Sequence, residues 1–133
     1  MTVAELMQRE VKTVGSDASV QEVVVTLADA HVSGLPVVDA GGRVIGVVSS
    51  SDVLTAEAEA DDADARRELL ENTAVRDIMT PQSFTVSPDD DIREAARQML
   101  YADVHRLFVT DGDRVVGVIS TTDIVRAVAN GKL

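Results

Sequence analysis

The chain has 133 residues, 45% of them hydrophobic and 26% charged, with a formal net charge of -11. That length supports one compact domain with a core of its own, and the absence of cysteine excludes disulfides, thiolate catalysis and Cys-based zinc sites. The acidic balance repels duplex nucleic acid, and two Phe, one Tyr and no Trp leave no stacking platform for single strands.

The chain reads as one block written twice. Val3-Ala-Glu-Leu-Met matches Val75-Arg-Asp-Ile-Met, Thr13-Val14 matches Thr85-Val86, and Leu35-Pro-Val-Val-Asp39 matches Leu107-Phe-Val-Thr-Asp111. One residue is dropped in the turn that follows. Gly46-Val-Val-Ser-Ser-Ser-Asp52 then matches Gly117-Val-Ile-Ser-Thr-Thr-Asp123. A period this long with a shared apolar pattern marks one folding unit used twice.

Each copy is expected to open with a short helix, over 3–9 and 75–79. A short strand follows at 12–14 and 84–86. The next helix, over 19–31 and 90–102, is announced by Ser16-Asp17 and by Ser87-Pro88-Asp89. Its apolar positions recur at helical spacing: Val20, Val23, Val24 and Leu27 in one copy, Ile92, Ala95, Ala96, Met99 and Leu100 in the other. A hairpin comes next, with turns at Ala40-Gly41-Gly42 and Gly112-Asp113 between Val-rich strands. A last helix starts after Ser49 and after Ser120. In the first copy it is expected to run on into the acidic, Ala-rich stretch 56–71, whose charges form a solvated face. The order is α-β-α-β-β-α, repeated. The expected organisation is a first repeat over 1–56, an acidic helical linker over 57–73 and a second repeat over 74–133. Two such units packed together leave a cleft, a common place for a ligand.

The string that carries chemistry is Gly46-Val-Val-Ser49-x-x-Asp52 and its copy Gly117-Val-Ile-Ser120-x-x-Asp123. It sits where a strand ends and a helix begins. Gly lets a ligand or another strand approach the backbone. The Ser hydroxyl and the first helical amides can receive a phosphate or ribose oxygen. An Asp in the first turn is favoured by the helix dipole and can accept both hydroxyls of a ribose. The same Ser-x-x-Asp spacing is equally that of a capping box, a purely structural device. Spacing alone leaves both readings open.

Taken together, these strings resemble the CBS domain, named for cystathionine β-synthase, in a tandem pair known as a Bateman module. The supporting landmarks are Asp77-Ile78-Met79-Thr80-Pro81, Thr85-Val86-Ser87-Pro88-Asp89, His105-Arg106-Leu107 and the two Ser-x-x-Asp ends. The resemblance covers nearly the whole chain apart from the acidic linker. It implies an α/β (α+β) fold of two repeats, each a small sheet packed on helices, related by a pseudo-two-fold. It also implies a regulatory, non-enzymatic role with an adenosine-containing ligand in the inter-repeat cleft: AMP, ADP, ATP or S-adenosylmethionine.

Carried over residue by residue, Asp52 and Asp123 are the ribose candidates, with Ser49 and Ser120 beside them. Thr13 and Thr85 border the base, and Leu35 and Pro36 supply apolar wall. His105-Arg106 stands where the first copy has Ser33-Gly34. In family members that bind AMP such a pair touches phosphate and serves the Ser-x-x-Asp of the other repeat, which assigns His105 and Arg106 to the site on Ser49 and Asp52. The guanidinium fork suits phosphate oxygens. The site lacking a basic pair is expected to be weaker for phosphates.

No metal, catalytic set or required cofactor is expected: there is no HExxH and no Walker-type loop, and His31 and His105 are the only histidines. The competing reading is a nucleotide-independent assembly module. It draws on apolar residues that cover more than one helix face, such as Val23, Val24, Val25 and Leu27. Both readings are compatible with a homodimer. With no apolar run near the ~20 residues of a transmembrane helix and no signal-peptide pattern, the expected setting is the cytoplasm, with an unidentified regulated protein as partner and no membrane or nucleic-acid contact.

Overall fold

The computed structural model describes residues 1–81 and 84–133. In chain order its elements are α1 (Val3–Leu6), β1 (Val14–Gly15), α2 (Val20–Ala30), β2 (Gly34–Val38), β3 (Val44–Ser49), α3 (Ser50–Glu59) and α4 (Ala63–Asn72). A 3-10 turn (Val75–Asp77) leads to β4 (Thr80–Pro81), β5 (Thr85–Val86), α5 (Ile92–Ala102), β6 (Arg106–Asp111), β7 (Arg114–Ser120) and α6 (Thr121–Ala129). The mixed α/β fold expected from the repeats is present, as two small sheets with helices.

The chain divides into two compact units, and they are not the two repeats. One unit is Lys12–Ser83. The other joins Met1–Val11 to Phe84–Leu133. Each copy's opening segment is thus built into the unit that carries the other copy's hairpin.

In the Lys12–Ser83 unit the strand order is β1-β2-β3-β4. β1 runs parallel to β2, while β2–β3 and β3–β4 are antiparallel. Alternation along β2 sends Leu35 and Val37 to one face, where they join Val14, Val23, Leu27, Val48 and Val75 in a core cluster. α2 holds its place there because Ser19 caps it, accepting from Glu22 N at 3.2 Å. The long helix expected across 56–71 is broken. Ala60 is extended, and Asp62 starts α4 as a new N-cap, accepting from Ala65 N at 2.8 Å.

In the other unit the order is β5-β6-β7. Val3, Met7, Val86, Ile92, Ala95, Met99, Leu107, Val109 and Ile119 form its core. Asp91 caps α5 through Arg93 N at 2.8 Å, and this hydrogen bond holds the Asp91 carboxyl below its ordinary range. α1 is shorter than the helix expected over 3–9. Met7 turns out of it and Gln8 pairs with Val118, exchanging both backbone hydrogen bonds at 2.9 Å. Tertiary pairing has overridden a weak local helix signal here.

Both hairpins carry the same irregularity, a register shift between Val37 and Val38 in one and between Val109 and Thr110 in the other. The residue dropped between the copies lies in the turn beyond it. In the first copy Asp39 Oδ1 accepts from Gly41 N at 2.9 Å and Arg43 N at 3.0 Å, closing a longer turn.

Candidate functional site

The two Ser-x-x-Asp strings are capping boxes, built almost identically. Asp52 Oδ2 accepts from Ser49 N at 2.8 Å and from Ser49 Oγ at 3.1 Å, while Ser49 Oγ accepts from Asp52 N at 3.3 Å. Asp123 Oδ2 accepts from Ser120 N and Ser120 Oγ, both at 2.9 Å, and Ser120 Oγ accepts from Asp123 N at 3.2 Å. The structural reading of this spacing is therefore realised in both copies. It uses one oxygen of each carboxylate and leaves Oδ1 for other partners.

Those second oxygens differ. Asp52 Oδ1 accepts from Thr80 Oγ1 at 3.2 Å. Asp123 Oδ1 instead lies 3.7 Å from Arg126 Nη1, and Asp123 is 7% exposed. Asp52 is half-buried. Thr80 was visible in the sequence only as part of the Met-Thr-Pro landmark. Nothing in that string says that its hydroxyl reaches a carboxylate far away along the chain.

The glycine of each string is explained by the chain's own backbone. β4 pairs with β3 so that Gly46 faces Pro81 and Val47 faces Thr80. A Cβ on Gly46 would lie 2.7 Å from Met79 Sδ and 2.9 Å from the Thr80 carbonyl oxygen. At Gly117 it would lie 2.7 Å from Met7 Sδ and 2.8 Å from the Gln8 carbonyl oxygen. Each glycine admits the opening segment of the other copy, not a ligand.

The remaining candidates fall into the two units. In the Lys12–Ser83 unit, Gly34 stands opposite Ser49, Leu35 opposite Val48 and Pro36 opposite Val47. Leu35, 1% exposed, is packed in the core, whereas Pro36 lies on the alternate face of the sheet, which cross-strand pairing gives also to Val47 and Thr80. Thr13 is exposed and precedes β1. In the other unit, Arg106 opens β6 directly opposite Ser120. His105 is exposed, and its carbonyl accepts from Thr121 N at 2.9 Å, tying this strand start to the start of α6. Thr85 pairs with Phe108, on the face that Arg106 and Ser120 share. The register thus gathers Thr85, Arg106, Ser120 and Asp123 around one end of β5-β6-β7, and Ser49, Asp52, Pro36 and Thr80 around one end of the other sheet.

Among the described residues no group of three or more His, Asp or Glu is arranged to hold a metal ion, and no helix is long and apolar enough to cross a membrane.

Comparison with known proteins places this geometry. The sequence pattern of the CBS domain matches residues 3–59 and 75–130. The uncharacterized protein MJ1225 of Methanocaldococcus jannaschii is 27% identical over 124 residues, covering 93% of this chain and 41% of that protein. The homoserine O-acetyltransferase of Methanohalobium evestigatum is 28% identical over 127 residues, covering 95% of this chain but 24% of the enzyme. The chain thus spans less than half the length of these relatives. Among solved structures, the CBS domain pair of MJ0100, in complex with 5'-methylthioadenosine and S-adenosyl-L-methionine, superposes with a TM-score of 0.82 at 25% identity, covering 99% of this chain and 98% of that one. CBSX2 in complex with AMP gives a TM-score of 0.80 at 29% identity, again covering 99% and 98%. With the family pattern matched in two successive copies, and the same pair of small sheets found in these structures, this chain belongs to the CBS domain family as a tandem pair.

Proposed function

We propose that the chain is a non-enzymatic sensor that binds an adenosine-containing ligand (AMP, ADP, ATP or S-adenosylmethionine) and reports its level to a partner protein. The observation that carries the reading is the second oxygen of Asp52. The cap orients the carboxylate of half-buried Asp52 and leaves Oδ1 beside the neutral Thr80 hydroxyl. The complexes of MJ0100 and CBSX2 with adenosine compounds support the ligand class. In this reading Asp52 takes ribose, Ser49 lies beside it, Thr13 borders the base, Pro36 supplies apolar wall, and His105 and Arg106 anchor phosphate. Ser120, Asp123 and Thr85 form the weaker counterpart.

Calorimetry against AMP, ADP, ATP and S-adenosylmethionine tests it directly. A ligand that binds only the native state, at one hundred times its dissociation constant, adds about 2.7 kcal/mol of stability. A melt unmoved by millimolar AMP, ADP, ATP and S-adenosylmethionine rejects the sensor.

Asp52→Ala separates site from cap. A cap alone costs about 0.5–2 kcal/mol of stability when removed and leaves affinity unchanged. A ribose ligand loses affinity beyond what the melt explains. The expected result is both effects together, with affinity lost for adenosine and AMP alike.

One observation favours the assembly module as second reading. Leu100 is 83% exposed, Tyr101 89% and Val125 65%, on α5 and α6. Large apolar side chains so exposed suit a subunit interface, and a two-fold homodimer is the commonest closed form. Light scattering is expected to return twice the chain mass at tens of micromolar. A monomer mass there removes the dimer.

A further inference from the structure

Building on the adenosine-ligand reading, we infer that Thr80 is a specificity-determining residue: with Asp52 it forms a two-acceptor cradle for a vicinal diol, which the second copy does not possess. The inference starts from lone pairs. A carboxylate offers about four acceptor positions, and a Thr hydroxyl one donor and two acceptor positions. Asp52 Oδ2 is filled by Ser49 N and Ser49 Oγ. Asp52 Oδ1 accepts a hydrogen bond from Thr80 Oγ1 at 3.2 Å. That bond commits the only proton of Thr80, so Thr80 Oγ1 faces any further partner as an acceptor. Two acceptor atoms then stand side by side, Asp52 Oδ1 with a position left and Thr80 Oγ1. Neighbouring hydroxyls of a furanose are two donors at a similar spacing. One donates to Asp52 Oδ1 and the other to Thr80 Oγ1.

The second copy has the cap without the cradle. Aligning Met7 with Met79 sets Gln8 against Thr80. Asp123 Oδ1 has the Arg126 guanidinium as its neighbour, and Asp123 is 7% exposed. A cation there competes with hydroxyl donors for the same oxygen. The two repeats share the Ser-x-x-Asp string, yet among the described residues only Asp52 is arranged to discriminate ribose from its deoxy forms.

The backbone also sets Thr80 in place. β4 pairs with β3 through Val47 and Thr80, and Gly46 allows that approach. Thr80 itself is exposed, so its hydroxyl can be exchanged with little effect on packing.

The test is calorimetry of the full chain with AMP, its 2'-deoxy and 3'-deoxy forms and 2',3'-dideoxy-AMP, on the native protein, Thr80→Val and Thr80→Ser. The native protein is expected to bind AMP roughly tenfold or more tightly than either monodeoxy form. Thr80→Val keeps the shape and removes the acceptor. It is expected to lose about tenfold for AMP and nothing for dideoxy-AMP. Thr80→Ser restores the hydroxyl and is expected to return the native ratio of AMP to dideoxy-AMP affinity. A merely structural Thr80 moves both ligands equally, and an unchanged ratio in Thr80→Val overturns the inference. Native protein that binds AMP and dideoxy-AMP equally also overturns it, while leaving the nucleotide reading intact. Native protein that binds none of the four, and none of ADP, ATP and S-adenosylmethionine, overturns both.

Discussion

Deleting residues 1–11 is expected to unfold the unit built on Phe84–Leu133, although by sequence those residues belong to the first repeat. Val3 is fully buried and Met7 is 9% exposed, both in the core with Ile92, Leu107 and Ile119. Val3 N donates to the Asp90 carbonyl and Ala4 N to the Pro88 carbonyl, both at 2.9 Å, and Gln8 pairs with Val118. Losing two buried apolar side chains removes about 1.5–3 kcal/mol each, before the backbone pairing is considered. A whole domain is stable by only about 5–15 kcal/mol. Hydrogen exchange read by peptide is the measurement. The amides of α5, β6 and β7 are expected to lose most of their protection, while those around Val23, Val37 and Val48 keep theirs. Loss centred on the 14–48 region would contradict the exchanged partition. A gentler version is Gly117→Ala, whose Cβ meets the Gln8 carbonyl and Met7 sulfur. It is expected to cost about 1–3 kcal/mol by overpacking and to act on the same unit.

This partition shows where a duplicated sequence stops being informative. The helices over 20–30 and 92–102 were legible from their apolar period, whereas their caps are Ser19 and Asp91, a few residues after the Ser16-Asp17 and Ser87-Pro88-Asp89 signals. So were the hairpins, down to the dropped turn residue. Which opening segment completes which sheet was not legible. Met7 packs at Gly117 and Met79 at Gly46, and the two pockets are copies of each other. Local chemistry therefore accepts either pairing, and the chain path decides. The end of α1 departs from the expected helix for a related reason: Met7 packs into the core and Gln8 pairs with Val118, which together outweigh one further helical turn. The break at Ala60–Asp62 was missed because an Ala-rich acidic run has high helix propensity throughout, while Asp62 is also a strong N-cap.

The site was legible to the same depth. Ser-x-x-Asp announced both a cap and a carboxylate at a helix start, and the structure realises the cap in both copies. What separates the copies lies outside the string, in Thr80 and Arg126. A period search cannot see such differences. Thr80 reaches Asp52 through sheet pairing, and Arg126 falls where the first copy has Thr55. Leu35 shows the converse: as a strand residue beside a candidate site it is expected in the wall, yet pleat alternation sends it into the core and leaves Pro36 on the other face.

Arg106→Ala is expected to weaken AMP and ATP by about ten- to a hundredfold and adenosine hardly at all. The protein carries a formal net charge of -11, so a phosphate group needs a local cation to offset the surrounding field. The first copy offers Gly34 at the matching strand start, opposite Ser49, where the second offers Arg106, opposite Ser120. A hydrogen bond to a charged group contributes about 1.5–3 kcal/mol, which sets the expected factor. Adenosine has no phosphate to lose, so equal weakening of adenosine and AMP rejects the anchor and leaves Arg106 a role in holding the strand. The guanidinium's allegiance is then a separate measurement. Double-mutant cycles of Arg106→Ala with Asp52→Ala and with Asp123→Ala, read on AMP affinity, report which carboxylate shares a ligand with it. Coupling with Asp52 means that the phosphate anchor and the Asp52 carboxylate act on the same ligand. Coupling with Asp123 means that Arg106 serves the string at its own sheet edge, and the Lys12–Ser83 unit binds its ligand without a phosphate anchor. The strand register, which sets Arg106 across from Ser120, is the physical reason the second must be measured against the first.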